Sequence, residues 1–597
     1  MSLNIAFIIA ILLIMMGLIL YVFRSSGSEN IDDSENNFTI EYLRDRIKEI
    51  FNQIINENPY ETISKKIEAE KREKIREQLD EYLSLCGHGD KVSKAYIKDL
   101  IKSILQRYLN ISEETIDLSI PFYDENKLTT IDKFEIILHA LQKKHGSRAF
   151  EVMMIDNKFD QLRNGCYEVT KDDINSLYKS MRIKLTYLDK LDILTQRIYS
   201  LSYGIGIIDD IRDMVLDGIS AGLSGLKEDD YDYIEELLVR GFPKERMEYV
   251  YNSIWVLFKG KTIHLSCIGF ESEEELERVA KKIYKFDASK YLSENDPCVI
   301  CDAADGARIV VSRPKASENW AFYIRKFNSV PDLSMDKLIT DPGAEKVIAL
   351  TELLIKGYRS ICISGEQTAG KTTFLKSACM FIDKRNTLRI DELMYELHLK
   401  KILHGYNIHT MRPYGFLTGQ DLYEFFKKTD GSIAIIGEAA TPVQASYAVQ
   451  YKLSGFKCVL LTNHSNSAEA VIETIAFGLM EQKIYTSVEA AQSIAAKTIN
   501  INVHMAKTSD GHIFVDRITE IIPITHIDIS DNKNAFTREF YLHLLNRKQF
   551  ETRDLLVFDN GEYVIKNRPS KNMEDEMFRY YTEREKELYN KLFDGVK

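Results

Sequence analysis

The spacing of apolar positions changes along the chain, and each change predicts a different kind of element. From Phe38 to about Asn164 apolar residues recur at three- and four-residue intervals, as in YLRDRIKEIFNQII, which predicts helices. The run SKKIEAEKREKIREQLDEYL mixes both charge signs at that spacing and reads as a solvated helix face with intrahelical ion pairs. From about Cys166 to Phe327 the pattern is mixed. After a helical opening, SIWVLFKGKTIHLSCIGF predicts two strands joined at a Lys-Gly turn, and EEELERVAKKIYKF predicts an amphipathic helix. CVICDAADGARIVVSRP and WAFYIRKF add further strands, split by an Asp-Gly turn. From about Leu338 to Ile529 short apolar runs (RSICIS, TLRID, YNIHTM, SIAIIG, FKCVLLT, TININ) alternate with helical stretches. That rhythm predicts a doubly wound α/β domain with a largely parallel sheet.

The pattern therefore divides the chain into five parts. Residues 1–35 are an anchor and polar linker, 36–165 a helical region, 166–330 a mixed α/β domain, 331–531 the doubly wound domain and 532–597 a C-terminal extension. The anchor is expected because IAFIIAILLIMMGLILYVF, Ile5 to Phe23, carries no charge and is long enough to cross the hydrocarbon core. No basic residue precedes it, as a signal peptide would require, and Arg24 follows it. These features predict a single-pass anchor in the cytoplasmic membrane with the body in the cytoplasm.

Composition narrows the classes further. A chain of 597 residues is too long for one core. A net charge of -12 argues against nucleic acid as the main partner. The eight cysteines contain one close pair, Cys298 and Cys301, with no second pair to complete a zinc site, so a strand with two buried thiols is expected there.

The chemistry centres on GEQTAGKTTFLK, Gly365 to Lys376, which fits the phosphate-loop pattern Gly-x4-Gly-Lys-Thr. An apolar strand leads in and a helix leads out. The glycines let backbone N–H groups close around phosphates at the helix N-terminus. Lys371 supplies a point charge to the β- and γ-phosphates, and the Thr372 hydroxyl can join a Mg²⁺ shell. The loop is read as Gly365, Glu366, Gln367, Thr368, Ala369, Gly370, Lys371, Thr372 and Thr373, with ATP and Mg²⁺ as its ligands. Because the cradle is backbone, Gln367, Thr368 and Ala369 do not block it, whereas Glu366 must point outward to avoid repelling phosphate. Downstream, Glu392, Glu438 and His464 each follow an apolar strand at its C-terminal edge. Taken singly, such a glutamate is often a helix cap and such a histidine is more often structural.

In order after the loop, RIDELMYELHL, TMRP, TGQDL, IIGEA, LLTNHSNSAEAV and QSIAAKTINI resemble the secretion ATPases of type II and type IV systems, in particular the tight-adherence (Flp pilus assembly) branch. IGIIDDIRDMVLDGIS, SIWVLFKGKTI, DGARIVVSRP, AFYIRKF and HMAKTSDGHIFVDRITEI extend the resemblance over roughly Ser200 to Ile522. It implies a RecA-like P-loop ATPase domain preceded by the family's α/β N-terminal domain, a homo-hexamer, and inner-membrane platform proteins as partners in pilus assembly or secretion. By position, Glu392 would orient or deprotonate the attacking water. Glu438 would lie near Mg²⁺, holding it through water, and His464 would sense the γ-phosphate. Arg308, Arg313 and Arg325 fall in segments that supply arginines across the cleft. Three departures stand out: Glu-Gln-Thr-Ala inside the loop in place of Gly-Thr-Gly-Ser, Leu393 after Glu392, and Ala439-Ala440 in place of Val-Arg. Two rivals stay open: a nucleotide-binding scaffold or regulator with little hydrolysis, and a DNA-translocating ATPase.

Overall fold

The computed structural model describes residues 38–56, 66–163, 165–227, 230–240, 248–286, 291–327, 333–508, 511–524 and 549–596. The stretch Ile5–Phe23, expected as a membrane anchor, lies outside them. Among the described residues no helix is long and apolar enough to cross a membrane. The chain forms two compact units, Met1–Ser329 and Val330–Lys597.

The first unit begins with helices, as the spacing predicts. Helix Ile40–Asn56 buries Leu43, Ile47, Ile50 and Ile54 on one stripe, against Leu100, Ile101 and Ile104 of helix Lys91–Arg107 and Leu191, Leu194 and Ile198 of helix Tyr187–Ser202. The charged run forms helix Lys66–Cys86, where Arg76 pairs with Glu73 one turn away. Thr170 with Asp173 and Thr186 with Asp189 form capping boxes that fix where two further helices start.

A six-stranded sheet follows: β1 (Gly218–Ala221), β2 (Ile254–Phe258), β3 (Lys261–His264), β4 (Cys298–Asp302), β5 (Arg308–Ser312) and β6 (Ala321–Arg325). Its order is β3-β2-β1-β6-β5-β4, antiparallel throughout. Lys259 and Gly260, both at positive φ, make the two-residue turn between β2 and β3. Helix Glu273–Ile283 packs Leu276, Val279, Ala280 and Ile283 into the same core as Ile309, Val311 and Phe322. The expected pair of buried thiols is corrected here: Cys301 is buried but Cys298 is exposed. Side chains alternate along a strand, so residues three apart on β4 face opposite sides.

The second unit is built on a nine-stranded sheet. Its strands are β7 (Ile361–Gly365), β8 (Thr387–Asp391), β9 (Asn407–Met411), β10 (Ile433–Ile436), β11 (Cys458–Asn463), β12 (Ile501–Lys507), β13 (Ile513–Pro523), β14 (Phe550–Asp559) and β15 (Glu562–Ile565). The order is β15-β14-β13-β12-β7-β11-β10-β8-β9. From β12 to β9 neighbouring strands are parallel, and the remaining pairs are antiparallel. The six apolar runs thus become six parallel strands. Alternate residues enter two cores: Ile361, Ile363, Ile433 and Ile435 face one, and Cys362, Ala434 and Ile436 the other. Both faces are covered, which is why these strands read as continuous apolar runs. Residues 549–596 complete the unit. Asn560 and Gly561, both at positive φ, turn β14 into β15, and Met577, Tyr581, Tyr589 and Phe593 share a core with Leu350 and Leu354.

Candidate nucleotide site

Four parallel strands, β7, β8, β10 and β11, end at one edge of this sheet, and their C-terminal ends carry the loop, Glu392, Glu438 and His464. That edge is where open α/β sheets place ligands. The loop leaves β7 at Gly365, whose φ is +142°. A Cβ there would stand 2.3 Å from the Met505 carbonyl oxygen of the adjacent β12, so only glycine fits. Gly370, at φ +80°, turns the chain into helix Lys371–Cys379. No acidic residue stands in that helix's first turn, so its free N–H groups and positive dipole end remain uncancelled. Glu366 is exposed.

Lys371 is 7% exposed and lies across the loop, donating to the carbonyls of Gly365 at 2.9 Å and Glu366 at 2.6 Å. Its ammonium also lies 3.2 Å from His464 Nδ1, and His464 Nε2 lies 2.8 Å from Glu438 Oε1. Lysine offers only donors, so Nδ1 accepts, and the ring proton must sit on Nε2 and be donated to Glu438. A continuous chain of charge and hydrogen bonds therefore joins the loop to β11 and β10. The β10 and β11 ends are fixed beneath it by Thr462 Oγ1 donating to the Gly437 carbonyl at 2.7 Å and Asn463 Nδ2 to the Ala439 carbonyl at 2.8 Å. Under β7, Ser364 Oγ pairs with His504 Nδ1 at 3.1 Å.

Glu392 stands apart from this chain. It is 2% exposed, and its Oε1 accepts from the backbone N–H groups of Glu396 at 2.9 Å and Leu397 at 2.8 Å. Its Oε2 is buried with no partner among the described residues. Burial pushes its carboxyl up to about 7, opposed by those two N–H groups and by the Lys376 ammonium. Burial likewise lowers Lys376 to about 8. Asp391, just before, is pushed up to about 6 by burial although Tyr451 Oη donates to it at 3.2 Å. Gly437 is the wall of this pocket, since a Cβ there would meet Glu392 Cγ at 2.8 Å.

Lys371, His464 and Glu438 are thus brought together, with Glu392 on the neighbouring strand end. The three arginines belong to the other unit. Arg308 and Arg325 are direct cross-strand partners on β5 and β6, and Arg313 lies over the Trp320 ring at 5.8 Å. Like charges placed directly opposite one another destabilise a sheet, and Arg308 also lies over the Phe327 ring at 5.4 Å. Thr418 and Asp421, inside the TGQDL motif, form a capping box, which is a structural task. Lys376, Tyr451, Gly437 and the Ser364–His504 pair were not singled out from sequence. Lys376 alone carried a signal, being a second lysine on the helix that follows the loop.

Glycines that only a close backbone approach explains, a buried lysine at a helix start and free N–H groups fit a nucleotide's phosphates. Thr372, partly buried beside Lys371, and Glu438 are the oxygen donors that would hold a magnesium ion. Fold and loop together define a P-loop nucleotide-binding domain of the doubly wound α/β class. Residues 314–516 match the family model described as Type II/IV secretion system protein. This supports the coarse resemblance over that segment, and nothing in the comparisons selects the tight-adherence branch. No curated protein matches the chain. Similar solved structures include the VirB11 ATPase of the Brucella suis type IV secretion system (13% identity, covering 55% of this chain and 92% of that one, TM-score 0.27). The Legionella pneumophila ATPase DotB shows 12% identity, coverage of 64% and 84%, and a TM-score of 0.34. The pilus retraction motor PilT with bound ADP shows 14% identity, coverage of 65% and 89%, and a TM-score of 0.34. At those TM-scores the overall superpositions carry no argument.

Proposed function

We propose that the chain is an ATP-binding and ATP-hydrolysing motor serving a type IV or tight-adherence-like pilus or a type II-like secretion apparatus. It would work as a homo-hexamer against membrane platform proteins, anchored through Ile5–Phe23 with its body in the cytoplasm. The carrying observation is the Lys371–His464–Glu438 chain leading out of a glycine-bounded loop, within a segment that matches the secretion family. Lys371 neutralises phosphate charge, exchanging its two carbonyl acceptors for phosphate oxygens. Its departure uncovers His464 Nδ1, which would have to take up a proton to donate to the same anion while Nε2 stays on Glu438. Magnesium, held by Thr372 and Glu438, would supply further charge neutralisation. Glu392, with proton affinity close to neutral pH, suits the general base. Arg308, Arg313 and Arg325 are retained as candidate phosphate-neutralising groups.

One observation favours a second reading, a nucleotide-binding scaffold. Glu392 Oε1 is committed to two backbone N–H groups, as a cap would be. Steady-state hydrolysis by the full chain and by Lys371→Ala and Glu392→Gln separates the two. The motor reading expects both variants to fall well below the parent, with ATP affinity lost in the first and kept in the second. Equal background rates in all three would leave only the scaffold.

A further inference from the structure

A second cluster of ligating side chains lies in the first unit. Glu168, Glu248 and His264 each offer one ligand atom, all within 4.8 Å of one another, although they come from three separate stretches of chain. Glu168 sits on a segment bridged to the end of β3. His264 N–H donates to the Tyr167 carbonyl at 3.0 Å, and Val169 N–H donates to the His264 carbonyl at 2.8 Å. Glu248 is fixed through its carbonyl, which accepts from Leu226 N–H at 2.8 Å.

His264 is 8% exposed, and its ring stacks on Trp255 with centroids 4.4 Å apart. Trp255 is held in turn by its indole N–H donating to Ser253 Oγ at 3.1 Å. Among the described residues neither ring nitrogen of His264 has a hydrogen-bond partner. Nε2 is buried outright, and Nδ1 faces Glu248 Oε1 at 3.9 Å, too far for a hydrogen bond. A buried polar group left in that state costs ~1–3 kcal/mol. Ser266 Oγ donates to Glu168 Oε1 at 2.5 Å, the kind of supporting bond that holds a ligating carboxylate in place.

We propose that Glu168, Glu248 and His264 bind a divalent transition-metal ion, zinc foremost. One imidazole and two carboxylates are a zinc donor set, whereas calcium and magnesium prefer oxygen alone. Ligands ~2.1 Å from a tetrahedral ion stand ~3.4 Å apart. The ligand atoms lie within 4.8 Å of one another, His264 and Glu248 at 3.9 Å, so closing on an ion needs side-chain adjustments of about 0.5 Å for that pair and up to ~1.4 Å within the set. The ion would take the lone pair of Nδ1, the ring nitrogen that faces Glu248, offset the mutual repulsion of the two carboxylates and tie residues 168 and 248 to the end of β3. Three protein ligands leave a fourth position for water. The site is independent of the nucleotide reading.

The test uses the full chain, stripped of metal by chelation and free of nucleotide, titrated with zinc chloride by calorimetry while Tm is followed. The expected result is one tight equivalent that raises Tm. It should weaken at least tenfold in Glu248→Gln and His264→Ala, and 10- to 100-fold in Ser266→Ala. Glu248 is exposed, so its variant keeps the fold, which an unchanged metal-free Tm verifies. Absence of a tight equivalent in the parent, or its persistence in Glu248→Gln, overturns the site. So does its loss when the exposed Cys166 and Cys298 are replaced by serine.

Discussion

Glu392 and Glu438 leave adjacent parallel strands of one sheet, yet their surroundings differ in every respect that governs proton chemistry. Glu438 is partly exposed and accepts from His464. Glu392 is sealed beneath Gly437, holds two backbone N–H groups with one oxygen and, among the described residues, nothing with the other, and is raised to about 7 by burial. A carboxylate becomes a base at neutral pH through desolvation, not through its place after a strand. On the proposed reading the pair would divide the labour, Glu438 handling charge and Glu392 the proton.

Turnover gives the largest contrast. In Glu392→Gln, kcat for phosphate release should fall by about 10²–10⁴, the usual worth of a general base, with ATP affinity little changed. Glu438→Gln should lower kcat less and raise the magnesium concentration needed for half-maximal rate. The opposite order would assign the base to Glu438.

Gly437→Ala attacks the wall between the two. Its Cβ would press on Glu392 Cγ at 2.8 Å and on Oε1 at 3.2 Å. Such overpacking costs ~1–3 kcal/mol, read as a lower urea midpoint, and it displaces the carboxylate from its N–H donors, so kcat falls as well. An unchanged midpoint would mean that the pocket is loose.

Titration tests the cause of the shift. Folded Glu392 holds its proton up to about 7 against an ordinary value of 4.5. Between those values the folded chain binds more protons than the unfolded one. Its contribution to stability is therefore fully present below 4.5 and lost as pH rises through 7. At ~1.4 kcal/mol per tenfold change in proton affinity this amounts to a few kcal/mol. Glu392→Gln should flatten that part of the decline in Tm. Lys376→Met removes the ammonium that opposes the shift, so the acidic limb of the kcat profile should move to higher pH.

What could be read in advance follows the same division. The strands carrying the site were legible because each is covered on both faces and spells an apolar run, as β11 (CVLLTN) does. Turns were legible where residue type dictates φ, as at Lys259-Gly260. The strand, glycine-bounded turn and helix around residues 365–371 were legible from their spacing. The hidden part depends on packing between distant residues: Gly437 against Glu392, Tyr451 on Asp391, and Glu168, Glu248 and His264 gathered from three segments. Even local spacing misleads when the period is wrong, since the i,i+3 pair Cys298 and Cys301 shares a face on a helix but not on β4.

The smallest effect lies at the edge of the comparison, in Asp391. Its carboxyl is raised to about 6 by burial and is held down by the Tyr451 hydroxyl alone. Tyr451 sits fully buried among Tyr423, Phe426 and Phe456, so Tyr451→Phe keeps the packing and removes one donor. Losing that bond should cost ~0.5–1.5 kcal/mol of stability, most visibly above pH 6, where Asp391 is ionised in the parent. Below that pH the protonated carboxyl needs the donor less, and the two proteins should converge. With Asp391 more easily neutral, Glu392 would feel less neighbouring negative charge, so any change in the kcat profile should be a small move of its acidic limb toward lower pH. A large loss of kcat in Tyr451→Phe at unchanged stability would instead make Asp391 the proton acceptor and reduce Glu392 to the cap that its two N–H bonds resemble.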